Sequence, residues 1–216
     1  MRKLGTAAER REQIRAAASA AFAESGLHGV SVDQIARSID ISEAYVFRLF
    51  GSKRALFIDV MTTAFDTMTS QMAAAAGGAT GVDALMRMSE EYQAQLADRQ
   101  RLLLQLQAFA ACADPEVLFA VRAAFGRLWA RAGEISGLSP LQVKTFIAFG
   151  TLPNIMAAMD ADGLPVSWAE QATAPVPAAL YQSAGMTPLD PPLSRSGTSP
   201  QDRPLARARW IDGGGT

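Results

Sequence analysis

The sequence predicts an all-α protein, and three observations carry that prediction. Up to about residue 160 apolar residues recur at helical spacing, Ala, Leu, Met, Gln, Glu and Arg dominate, and strand-type alternation of β-branched residues is scarce. With 216 residues, 49% of them hydrophobic, and a mean hydropathy of +0.08, the chain has ample material for a core.

The first helix begins at Thr6 or Ala7, carries Ile14, Ala18, Ala21 and Phe22 on one stripe, and stops at Ser25-Gly26, where glycine suits a left-handed C-terminal position. Leu27, Val30 and Val32 then return the chain to the core. Ser31 is the N-cap of the second helix, with Gln34 completing a capping box and Asp33 favourably placed in the first turn. That helix runs to about Ile39. Ser42 caps a third helix of barely two turns, ending near Gly51, and Ser52 caps a fourth.

The fourth helix is long, because Leu56, Phe57, Val60, Met61, Ala64, Phe65, Met68 and Met72 hold a stripe without a breaker until Gly77-Gly78. Further helices are expected from Val82 to Leu96 (Leu85, Met88, Tyr92) and from Arg99 to Ala111 (Leu102, Leu103, Leu106, Phe109). Pro115 opens another, with Leu118, Val121, Phe125 and Trp129, and Ser139-Pro140 opens the next, with Val143, Phe146, Ile147, Gly150, Ile155 and Met159. A last helix is expected from about Ser167 to Ala184, although Pro175 and Pro177 fall inside it. Beyond Thr187 the chain is rich in Pro, Ser, Gly and Arg with almost no apolar spacing, the composition of a disordered tail. The expected domains are 1–52, 53–185 and a tail over 186–216.

The net charge of −1 hides an asymmetry: residues 1–57 hold nine Lys/Arg against six Asp/Glu, residues 58–185 seven against twelve, and the remainder four against three. A basic segment ahead of an acidic body points to a polyanion partner for the first segment only. The single cysteine, Cys112, cannot form an intramolecular disulfide, the chain opens on no signal-peptide pattern, and no window approaches an 18-residue apolar run. A cytoplasmic protein is expected, with no membrane partner.

The stretch SVDQIARSIDISEAYVFRLFGSKRALF, Ser31 to Phe57, joins two helices too short to be stable alone through a tight turn. A helix-turn-helix that lays its second helix in a major groove about 12 Å wide needs such lengths, with a small residue where the helices touch. Ala36 is that residue, and Ile35, Ile39, Ile41 and Val46 are spaced as the miniature core between the helices.

The run from Gln13 to Met61, with AFAESGLHGVSVDQIA and SEAYVFRLFGSKRALF, resembles the N-terminal domain of the TetR family of transcriptional regulators. QLQAFAACADPEV and FIAFGTLPNIMAAMD are more loosely similar to that family's ligand-binding domains. The resemblance implies a homodimer, three N-terminal helices that read double-stranded DNA, and a helical domain that binds a small effector and dimerises through its last two long helices. The implied function is a repressor on a palindromic operator. By the same resemblance the recognition helix is Ser42 to Leu49, and Ser31, Ser42, Tyr45, Phe47, Arg48 and Lys53 stand where relatives contact DNA. Ser31 and the start of its helix suit a phosphate, Lys53 a phosphate by charge, Tyr45 a thymine methyl or base edge, and Arg48 a phosphate or guanine.

Three residues depart from the family pattern. Asp40 stands where a turn glycine is usual, Glu43 where a basic or small residue opens the recognition helix, and Phe47 where a tyrosine would offer its hydroxyl to phosphate. Glu43 repels phosphate unless it accepts from a cytosine N4, so it too belongs to the DNA-binding set. These departures also permit a rival reading, a dimeric helical small-molecule-binding protein that has lost sequence-specific DNA recognition.

Enzymatic chemistry is not expected. The one histidine, His28, falls in the loop between the first two helices, and no Cys-His or Ser-His-Asp set, zinc-ligand spacing or phosphate-cradling glycine loop occurs, so no catalytic residue, metal or cofactor is assigned. Cys112 reads as a small buried hydrophobe, and Glu90-Glu91 as a solvent-facing pair. The effector candidates are Met86, Tyr92, Phe109, Phe125, Trp129, Phe149 and Met156, apolar residues expected around the centre of the second domain. Arg122 apart, these stripes carry no arginine or lysine, which favours an apolar effector. The dimer face is expected over Thr145 to Met159 and the final helix, where Gly150, Ala157 and Ala158 permit close approach.

Overall fold

The computed structural model describes residues 6–183 and contains helices and no strand among them. Thr6 caps α1 (Ala7–Gly29) through a full capping box with Glu9. Gly26 interrupts this helix with φ +68° and ψ −177°, where the sequence places its stop, and a last helical turn follows to Gly29. The α2 helix (Val32–Ser38) has the expected Ser31–Gln34 capping box, and α3 (Glu43–Phe50) is capped by Ser42. Between them Asp40 takes φ +56°, the left-handed conformation that a glycine adopts at less cost.

The α4 helix (Lys53–Ala75) is the predicted rod, capped by Ser52. It is followed by α5 (Gly81–Gln95), α6 (Arg99–Ala110), a 3-10 turn (Ala111–Ala113), α7 (Pro115–Ser136) and α8 (Pro140–Ala158). The single helix expected from Ser167 to Ala184 is two short ones, α9 (Ser167–Thr173) and α10 (Ala178–Ser183). Pro175 and Pro177 lie in the gap, where each removes a backbone donor and restricts the residue before it. The expected tail over 186–216 lies outside the described residues.

One core runs from the three N-terminal helices into α4, α6 and α7. Ile14, Phe22, Ile35, Val46, Phe57, Met61, Leu104 and Val117 are all buried in it, and Phe22 and Phe57 meet edge to face at 5.0 Å. A second core gathers Met72, Leu85, Met88, Leu128, Val143 and Phe146 from α4, α5, α7 and α8.

The buried stripes of the later helices are rotated from those expected. In α6 the buried residues are Leu102, Leu104 and Ala108, while Leu103 and Leu106 are half-buried and Phe109 is exposed. In α7 they are Val117, Val121, Ala124, Leu128 and Ala132, which leaves Leu118, Phe125 and Trp129 half-buried. The alanines face neighbouring helices, where close packing favours small side chains over the large ones that define the stripe in the sequence. In α8 and at its C-cap, Ile155 and Met159 are 45% and 53% exposed, whereas Asn154 and Met156 are buried. That helix is apolar nearly all round, so its sequence does not choose a face.

Candidate nucleic-acid interface

The miniature core predicted for the hairpin is present: Ile35, Ala36 and Val46 are buried, and Ile39 and Ile41 pack against them half-buried. The amide of Ile41 donates to the carbonyl of Ala36 at 3.1 Å, closing the turn that sets α3 across α2.

With Val46 turned inward, the opposite side of α3 is open. Ser42, Glu43, Phe47 and Arg48 are exposed and Tyr45 is half-buried. The Arg48 guanidinium lies 4.7 Å from the centroid of the Tyr45 ring, a cation–π contact that presents phenol and guanidinium as one surface. Ser42 is occupied as a cap, accepting from the Tyr45 amide at 3.2 Å, and Ser31 likewise accepts from the Gln34 amide at 3.1 Å. Lys53 lies elsewhere than a freely solvated charge would, because its Nζ donates to the Val30 carbonyl at 3.0 Å. That bond brings Lys53 and Ser31 together at the entrance of α2, although they are far apart in sequence. Neither Arg48 nor Lys53 pairs with a carboxylate among the described residues.

Arg11 completes the surface and was not legible as part of it. From α1 its Nη2 donates to the Leu49 carbonyl at 2.8 Å, and its guanidinium lies 5.1 Å from the Phe50 ring centroid. It therefore braces the C-terminal turn of α3. The only signal in the sequence is a basic residue at the start of the second turn of the first helix.

Residues 14–60 match the family model for bacterial regulatory proteins of the tetR family. This segment is a TetR-family DNA-binding domain. The whole fold agrees: a TetR-family transcriptional regulator from Mesorhizobium loti is 20% identical, with a TM-score of 0.64, over 83% of this chain and 97% of its own. A TetR-like transcriptional regulator from Rhodococcus sp. is 22% identical with a TM-score of 0.59, over 84% and 96%. The transcriptional regulator FadR from Bacillus subtilis, in a structure with stearoyl-CoA, is 16% identical with a TM-score of 0.61, over 81% and 97%. No curated protein matches the chain in sequence. The chain thus has the TetR-family fold, and DNA-binding regulation is the function that its first domain supports.

Behind the TetR-type domain, the seven effector candidates do not surround one space. Tyr92 lines a cleft of about 290 Å3 between α1, α4, α5 and α6. Phe109, Phe125 and Trp129 line a shallow apolar groove with Val121, Arg122 and Gly126. Met86 and Phe149 pack half-buried against the second core, and Met156 is buried elsewhere in α8. Cys112 is half-buried rather than buried, with its thiol pKa pushed up by burial against a smaller opposing effect of Arg122. Of the acidic pair, Glu90 is exposed, and Glu91 is half-buried and accepts from Gln95 at 2.8 Å. No group of histidine, cysteine and carboxylate residues that could hold a metal occurs among the described residues, and no helix there is long and apolar enough to cross a membrane.

Proposed function

We propose that this protein is a homodimeric repressor that binds a palindromic operator through α2 and α3 and is released by a small, largely apolar effector. In this reading residues 1–52 read DNA and residues 53–185 bind the effector and dimerise. The observation that carries the reading is the open face of α3, where Tyr45 and Arg48 project together while Lys53 and the capped start of α2 flank them. Base-reading groups at the centre and phosphate-holding groups at the edge are what a groove-inserted helix requires.

Dimerisation is supported by α8 and its C-cap, where Leu152, Ile155 and Met159 form an apolar stripe that is 38%, 45% and 53% exposed. Trp168, 52% exposed in α9, adds to the apolar surface. An effector is supported by the fold's occurrence with stearoyl-CoA in the Bacillus subtilis regulator.

The test is selection of binding sequences from a randomised duplex library by the purified protein, beside a Tyr45→Ala, Arg48→Ala variant. These two substitutions leave the Lys53–Val30 bond intact, but Tyr45 packs half-buried against the first core, so a loss of binding is a loss of reading where the variant keeps the wild-type thermal midpoint. A palindromic consensus that disappears in the variant is the expected result. No enrichment from a folded dimer would favour the rival binding protein, for which Glu43, exposed and acidic at the start of α3, is the motivating observation.

A further inference from the structure

The cleft between α1, α4, α5 and α6 has a buried apolar wall and a polar rim. Met61, Phe65, Leu102 and Leu104 are each at most 3% exposed, whereas Thr63, Thr67, Gln100 and Arg101 at its edge are open to solvent. Tyr92, Gln95 and Gln105 also line the cleft, and the polar ends of Tyr92 and Gln105 are hydrogen-bonded to each other. The Tyr92 hydroxyl lies within hydrogen-bonding distance of the buried Asn154 side chain and 3.0 Å from Gln105 Oε1, and Asn154 Nδ2 donates to the same Oε1 at 3.3 Å. No buried side-chain polar atom is left without a partner among the described residues.

The charges at the rim are already neutralised. Arg15 donates to both oxygens of Asp59, at 2.6 and 3.2 Å, and Arg101 pairs with Asp98 at 3.0 Å. A charged ligand would have to displace a partner from the part-buried Arg15–Asp59 pair, or lose its own hydration against an apolar wall; the half-exposed Arg101–Asp98 pair is the weaker obstacle. An uncharged molecule with an apolar body and one hydroxyl meets neither obstacle. Its hydroxyl can join the Tyr92–Gln105 pair, because both groups accept as well as donate. The volume of about 290 Å3 suits one or two fused rings or a short chain.

We propose that this cleft binds a small, uncharged, amphipathic molecule, with its apolar body on Met61, Phe65 and Leu102 and its hydroxyl at Tyr92 and Gln105. The inference rests on the effector reading above and adds the ligand's chemistry and its lever. The cleft is walled in part by α1, through Arg15, Ala16 and Ser19, and is bridged at its rim by a Gln100–Ser19 hydrogen bond of 3.0 Å. The same α1 holds α3 through Arg11. A ligand that widens the cleft therefore acts on the helix that positions the DNA-reading surface, without passing through a second domain.

The test is equilibrium dialysis of the full chain, free of DNA, against 2-naphthol, naphthalene and 2-naphthoate. Saturable binding of 2-naphthol and none of 2-naphthoate is expected. Ala64→Phe, which fills the cleft from α4, should weaken 2-naphthol at least tenfold. Tyr92→Phe should weaken it about threefold to tenfold, the worth of one hydrogen bond, and leave naphthalene unchanged. If Ala64→Phe does not fold, the Tyr92→Phe comparison decides alone. Absence of saturable 2-naphthol binding, equal binding of 2-naphthoate, or equal losses for 2-naphthol and naphthalene in Tyr92→Phe would overturn the proposal. Because binding is read without DNA, failure of 2-naphthol to release an operator would count against the repressor reading and not against the cleft.

Discussion

Lys53 donates a hydrogen bond of 3.0 Å to the carbonyl of Val30, the residue before the N-cap Ser31. The bond joins the first turn of α4 to the entrance of α2, so an ammonium stands beside a helix N-terminus whose own dipole attracts anions. Only one of the three ammonium protons is used on Val30, which leaves the group able to hold a phosphate at the same time.

Lys53→Ala should therefore weaken binding to every duplex about equally. The slope of log K against log salt should become shallower by about one, the signature of one lost phosphate contact. Stability should fall by about 1 kcal/mol for the lost hydrogen bond. Anisotropy titrations at several salt concentrations, on the selected operator and on a scrambled duplex, check the first part and denaturant unfolding the second. A loss confined to the operator would make Lys53 a reader of bases.

The whole protein should show a shallow salt dependence. Glu43 is exposed at the start of α3, Phe47 has no hydroxyl, and three of the nine Lys/Arg in residues 1–57 are already paired, Arg15 with Asp59, Arg37 with Asp33, and Arg54 with Asp114 and Glu116. Fewer than about eight neutralised phosphates corresponds to a slope smaller in magnitude than about 7. A steeper measured slope would contradict this. Glu43→Gln should tighten binding to non-specific duplex by removing the repulsion.

Gly26 is a second position where a single atom matters. A Cβ there would lie 2.6 Å from Gln107 Oε1, and φ is +68°. Gly26→Ala should destabilise the fold by about 1–3 kcal/mol from the backbone alone, since φ +68° with ψ −177° is a region essentially confined to glycine. The clash adds to this. Gln107→Ala in the same chain should recover the clash and not the backbone cost, so a double-mutant cycle by thermal unfolding separates the two. Complete rescue by Gln107→Ala would show the φ value to be no constraint.

How far the sequence could be read follows from which residues act locally. Ser31, Gln34, Ser42 and Ser52 bond within three residues of themselves, and the caps and the lengths of α2 to α4 were legible for that reason. Ala36 and Val46 likewise act within one hairpin. Arg11 on Leu49, Lys53 on Val30 and Tyr92 on Asn154 span 38, 23 and 62 residues, and no periodicity encodes a partner so distant. The effector candidates are apolar residues expected around the centre of the second domain, but α7 turns alanines toward its neighbours and leaves Phe125 and Trp129 half-buried. The cleft instead depends on which faces of α1 and α6 meet, and that is a property of tertiary packing.

Tyr92 gives the test of that packing. Burial pushes its phenol pKa up, and the hydrogen bonds with Asn154 and Gln105 oppose the shift without cancelling it. A phenol with a folded pKa above its unfolded value, about 10, contributes stability that is fully present below that value and is lost as pH rises through the folded pKa. Tyr92→Phe keeps the ring and removes the titration. Near neutral pH the variant should be less stable by about 1 kcal/mol, the modest end of the range, because Asn154 and Gln105 can still bond each other. As pH is raised past about 10 the wild type should lose stability faster than the variant, and the two denaturation midpoints should converge. Parallel loss, with a constant gap between the curves, would mean that the phenol ionises as freely in the folded chain as in the unfolded one, and that the inner wall of the cleft is open to water.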